Sequence, residues 1–82
     1  MTFTVHGMNQ VIYVNKTAGS IDVTLGASGA VAFDVNTPGS PVVRHTIPPQ
    51  GGSISFSVGP NANVDANVIG QVGVQVELLP VR

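Results

Sequence analysis

Gly19-Ser20-Ile21-Asp22-Val23-Thr24-Leu25-Gly26 is the stretch that decides the fold class. Side chains of an extended chain alternate between two faces, so Ile21, Val23 and Leu25 fall on one side and Ser20, Asp22 and Thr24 on the other. A glycine bounds the run at each end, and the stretch therefore predicts a half-buried strand. The device recurs in both directions along the chain. Residues 30–36 set Val31, Phe33 and Val35 against Ala32, Asp34 and Asn36, and residues 53–58 set Ile54, Phe56 and Val58 against three serines. Residues 2–6 give a short first strand with Phe3 and Val5 inward, ended by Gly7, and residues 42–47 give a fifth. Residues 71–79 place Val72, Val74, Val76 and Leu78 inward before Pro80 ends pairing.

Two stretches read differently. Residues 10–15 are more continuously apolar, as a strand covered on both faces is, and this run is assigned to the middle of the structure. Residues 61–69 alternate Ala62, Val64, Ala66 and Val68 with Asn61, Asn63, Asp65 and Asn67, a pattern that fits a strand or an extended loop.

Between the runs lie turns. Residues 27–29 are short enough for a hairpin pairing the third and fourth strands. Thr37-Pro38-Gly39-Ser40-Pro41 is a turn, since proline fixes φ and glycine tolerates positive φ. Pro48-Pro49-Gln50-Gly51-Gly52 cannot continue a ladder, so it is a second turn or a longer excursion between sheets. No segment sustains helical spacing. Residues 1–82 thus read as a single all-β domain of seven to eight short strands. The expected architecture is a small antiparallel β-sandwich, Ig-like or jelly-roll-like, with a small β-barrel as the alternative. Residues 19–26 and 52–59 share a Gly-Ser-Ile opening, further alternation and a closing glycine. That likeness marks two equivalent strands in facing sheets, or the convergence of half-buried strands on one pattern.

Composition limits the function. Only 9% of the 82 residues are charged, against about one quarter in a typical soluble domain. The formal net charge is −1, and the three cations, Lys16, Arg44 and Arg82, would neutralise few phosphates, so nucleic-acid partners are not expected. No apolar stretch approaches the roughly 18 residues of a membrane helix, and the first residues lack the basic start and apolar run of a secretory signal. No membrane partner is expected. Without cysteine there is no disulfide framework and no thiolate metal site.

Chemistry-bearing residues are sparse. His6 and His45 are the two residues of the type that serves acid–base chemistry, and no Gly-x-Ser-x-Gly elbow or other motif assembles a nucleophile and carboxylate around either. Both are expected to be ordinary strand histidines, and no catalytic residue is assigned. Asp22, Asp34, Asp65 and Glu77 are isolated in sequence. Asn61-x-Asn63-x-Asp65-x-Asn67 resembles the start of a calcium loop, but Ala66 replaces the glycine and Val72 the glutamate of that pattern. A polar strand face or Asx-turn loop is expected there, with no metal and no cofactor. Asn15-Lys16-Thr17 fits the N-glycosylation acceptor pattern, meaningful only in a secreted protein. Phe3, Phe33 and Phe56 fall on inward registers, which leaves Tyr13 as the single plausible surface aromatic, although such a Tyr more often sits at the core edge with its hydroxyl wet, and this count argues against stacking on sugars or bases.

The outward positions are short and neutral, among them Ser53, Ser55, Ser57, Asn61, Asn63, Gln71 and Gln75, and such side chains lose little entropy at a contact. The resulting expectation is a non-catalytic structural or assembly protein. Its place would be a virion, as a capsid decoration or tail protein of a tailed bacteriophage that packs on another virion protein and on itself as a homo-oligomer. Residues 2–6 and 71–79 are the strands expected to pair with a neighbouring copy. The alternative is a carbohydrate- or cell-surface-binding β-sandwich module, extracellular or on a cell surface.

Overall fold

Alternating burial along the chain produces eight strands and no helix in the computed structural model, which describes residues 2–81. Met1 and the cation Arg82 lie outside the described residues. The strands are β1 (Thr2–Val5), β2 (Gln10–Val14), β3 (Ile21–Ala27), β4 (Val31–Asn36), β5 (Val43–Ile47), β6 (Gly52–Val58), β7 (Asn63–Val68) and β8 (Val74–Val81). They form two four-stranded sheets, β1-β8-β3-β6 and β2-β7-β4-β5, with every neighbouring pair antiparallel. An immunoglobulin sandwich groups its first, second, fourth and fifth strands in one sheet. The order seen here is instead that of a jelly roll, eight strands in two packed sheets. Both sheets keep free edges, so no barrel closes.

The core lies between the sheets. Val5, Val23, Leu25 and Val76 from the first sheet and Val31, Phe33, Val64 and Ala66 from the second have no accessible surface. Phe3, Tyr13, Ile54, Phe56 and Val68 pack at its margins, half-buried. Of residues 61–69, Asn63–Val68 form strand β7, with Ala62, Val64 and Ala66 buried as their alternation requires.

Several expectations are corrected. Residues 27–29 do not make a hairpin: β3 lies in the first sheet and β4 in the second. A two-residue hairpin of type I′ needs two positive φ values, and none occurs from Ser28 to Ala30. Among the described residues only the β4–β5 connection stays within a sheet. β2 is an edge strand rather than a central one, and its register shifts between Val11 and Tyr13. That bulge lets Ile12 be buried and Tyr13 pack on the core while Val11 and Val14 remain 56% and 42% exposed, which accounts for the continuous apolar run. Residues 19–26 and 52–59 are not in facing sheets. They are antiparallel neighbours in one, with Ile21 opposite Val58 and Leu25 opposite Ile54.

At the end of the chain, β8 is internal, between β1 and β3. Val72 is 69% exposed because Gly73, at φ 88°, turns the backbone before β8 begins. Pro80 does not end pairing: it stands opposite Val23, beyond the last β1 pairing at Glu77, where a strand proline is tolerated because one side is open.

Asn15, fully buried, pins one end of the sandwich. Its amide nitrogen donates to the carbonyls of Gly19, Val58 and Gly59 at 2.8–3.0 Å, and its Oδ1 accepts from the Thr17 N–H and hydroxyl. The acceptor-like Asn15-Lys16-Thr17 is thus a closed Asx turn whose amide is engaged. Asn15→Ala takes this donor from the buried Val58 carbonyl and the acceptor from the Thr17 N–H, and is expected to lower stability by about 2–3 kcal/mol in urea unfolding. Gly51 closes the β5–β6 turn at φ 85°, and a Cβ there would stand 2.8 Å from the Ala27 carbonyl. Gly51→Ala is expected to cost about 1–3 kcal/mol in the same measurement.

Candidate functional site

With the inward faces committed to the core, what remains for function is the two outer faces, their edges and the loop ends. On the second sheet the outward residues form rows across the strands. Asp65 of β7 stands directly opposite Asp34 of β4, which stands opposite Arg44 of β5, and Val11 of β2 begins the row. Two carboxylates facing each other in register repel. The neighbours remove that penalty. Arg44 grips Asp34 bidentately, Nε to Oδ1 at 2.7 Å and an η-nitrogen to Oδ2 at 2.9 Å. Asn67 adds a third bond to Asp34 at 3.1 Å, while Asn36 and Asn63 donate to the two oxygens of Asp65 at 2.9 and 2.7 Å. Asn67 is itself fully buried, its oxygen accepting from the Asn9 N–H.

The Asn63-x-Asp65-x-Asn67 series is therefore the outer face of a strand, and its amides are spent on carboxylates. No three His, Asp or Glu side chains among the described residues converge as a metal site. The Arg44 guanidinium beside Asp34 holds that carboxyl below its usual range despite burial, and Asp34 in turn raises Arg44.

The outer face of the first sheet is plainer. Thr4 accepts from Gln75, Thr24 shares a hydrogen bond with Ser55 at 2.8 Å, and Ser57 donates to Asp22 at 2.6 Å. Glu77 and Ser53 flank Gly26 across the strands, so the surface dips where no side chain stands. Among the described side chains this face carries hydroxyls, amides, two acids and the exposed Leu79, and no base.

The histidines do not meet. His6 follows the edge strand β1 and is exposed, whereas His45 sits on β5 and stacks on Phe56 of β6, ring centres 4.2 Å apart and nearly parallel, closing that side of the sandwich. Tyr13 is turned toward Val64 and the core margin. At one loop end residues 28–30, Pro49 and residues 69–74 line a cleft of about 330 Å³ that holds no titratable side chain. Exposed Ile69 and Val72 lie there, and nothing in the sequence pattern marked that cleft.

Asp34 gives the face a pH signature. Because its folded-state carboxyl is held below the ordinary value of 3.8, its contribution to stability is present above that value and lost as pH falls through the lower folded value. Asp34→Asn is expected to cost about 1–2 kcal/mol at neutral pH. Urea unfolding of both proteins at descending pH should bring the two curves together below pH 3.8. Neither family models, nor curated proteins, nor solved structures yield a match to the chain, so the functional reading rests on this geometry.

Proposed function

We propose that this chain is a non-catalytic structural subunit that packs on a larger protein assembly and on copies of itself, as a capsid decoration or tail protein of a tailed bacteriophage does. The observation that carries the reading is the outer face of the first sheet. Apart from the acids Asp22 and Glu77, its Thr, Ser and Gln side chains are short and neutral and are bonded to one another or to Asp22, where a free-standing domain carries many Lys and Glu. Desolvating such a face costs little side-chain entropy and strands no unpaired cation. The acids of the opposite face are already engaged by Arg44 and three asparagines. Jelly rolls serve both viral capsids and lectins, and fold alone does not choose between them. A sugar site gains little here, since Tyr13 packs on the core margin and the Phe56 ring is stacked with His45.

Sedimentation velocity across a wide concentration range is expected to reveal a defined oligomer, and purification from the native source is expected to bring the protein down with a large particle. A monomer at every concentration with no particle would overturn the reading. A saturable hit on a glycan array, reproduced by calorimetry, would replace it with the carbohydrate-binding module.

A further inference from the structure

An open sandwich has four edges, and in this one three are blocked, each by a different device. At β1 the Gln10 side chain takes the place of a neighbouring strand: its amide donates to the Thr4 carbonyl at 3.0 Å and accepts from the His6 N–H at 3.2 Å. At β2 the register shift between Val11 and Tyr13 breaks the regular spacing that an added strand would need. At β5 the strand is five residues long, follows Pro41, precedes Pro48 and carries Arg44, and short length, proline and charge all discourage edge pairing.

β6 has none of these. It runs seven residues in unbroken register with β3, contains no proline and no charged residue, and has no neighbouring strand on its other side. Asn15 occupies the Val58 carbonyl at its end, which leaves Ser53-Ile54-Ser55-Phe56-Ser57 as the open stretch. That stretch is nearly symmetric about Ser55. If a second copy lies antiparallel with Ser55 on the twofold axis, Ser53 of each copy meets Ser57 of the other and Ile54 meets Phe56. Every hydroxyl then faces a hydroxyl, and each half-buried apolar side chain faces an apolar one, an aromatic–β-branched pair of the kind that stabilises sheets.

From this we infer that β6 is the self-association edge: two copies join β6 to β6 across a twofold axis, making one eight-stranded sheet. The occupant is a second copy because the edge is its own complement, as an isologous interface requires, and because an uncharged strand meets its double without repulsion. The inference rests on the self-assembly reading above and names the surface it uses. It also moves the contact away from residues 2–6 and 71–79, the first edge-blocked by Gln10 and the second running into β8, which is internal.

The chain has no cysteine, so Ser55→Cys supplies a single thiol. Opposed residues of antiparallel strands hold their Cβ atoms about 4.5–5.5 Å apart, near the span of about 3.5–4.5 Å that a disulfide bridges. Mild oxidation is expected to convert S55C to a covalent dimer far faster than Ser40→Cys on the exposed β4–β5 turn. Ser55→Lys, which sets two cations together on the axis, is expected to raise the dimer dissociation constant about tenfold or more by sedimentation while the circular dichroism spectrum stays that of the wild type. An oligomer that persists in S55K, with S55C linking no faster than S40C, overturns the β6 edge and leaves self-assembly standing. A wild-type protein that stays monomeric overturns both.

Discussion

Pairing between strands distant in sequence is the constraint on which the rest of this structure depends. β1 pairs with β8, β2 with β7, β3 with β6 and β4 with β5, so the chain behaves as one long antiparallel ribbon rolled onto itself. The further pairs β3·β8 and β4·β7 seal the roll into two sheets. Because nearly every connection crosses from one sheet to the other, both halves of the core are built from alternate strands. Leu25 and Val31, six positions apart, reach the same interior from opposite walls. A sandwich assembled this way has no locally stable piece, since a lone two-stranded hairpin is marginal in water and only β4–β5 is one.

Much of the burial was legible and most of the pairing was not, for one physical reason. The period-two pattern reports which face a residue takes, and Ile21, Val23, Leu25, Phe33, Val58, Val64 and Val76 are buried as their alternation demands. It carries no information on which strand lies alongside, and neighbours in sequence are the default partners. That default fails between β3 and β4. The bulge in β2 and the turn at Gly73 each shift register by local backbone geometry, so the apolar run at residues 11–14 and the inward expectation for Val72 misled in opposite directions. The polar face was half visible. Asn63, Asp65 and Asn67 could be placed on one side of a strand, but their bonding to Asp34 and Asn36 depends on β4 lying beside β7. Gln10 and Asn15 gave no sequence signal for what they do, because an amide's worth lies in the backbone it reaches.

The scarcity of charge gains a structural meaning from this arrangement. Three of the four carboxylates, Asp22, Asp34 and Asp65, accept hydrogen bonds from neighbours on their own face. Most of this polarity is spent within the faces, holding strands in lateral register, and only Glu77 and Lys16 among the described residues stand outward as exposed ions without a side-chain bond. Amides perform the tasks that lysine and glutamate commonly perform at edges: Gln10 closes a strand margin and Asn15 ties two connections together.

The place of β8 bears on how the molecule can be made. The strand that fills the gap between β1 and β3 is synthesised after the other seven, so until it emerges sheet one lacks an internal member and β1 has no lateral partner. Vectorial folding that settles each segment as it is synthesised is denied to this topology, and the roll must close in a late, concerted step of the slow kind expected for non-local β pairing. Until then the alternating strands travel with their inner faces wet and their margins unpaired. A sequence with so little repulsive charge is then exposed to aggregation, which makes the blocked edges as useful to the nascent chain as to the finished protein.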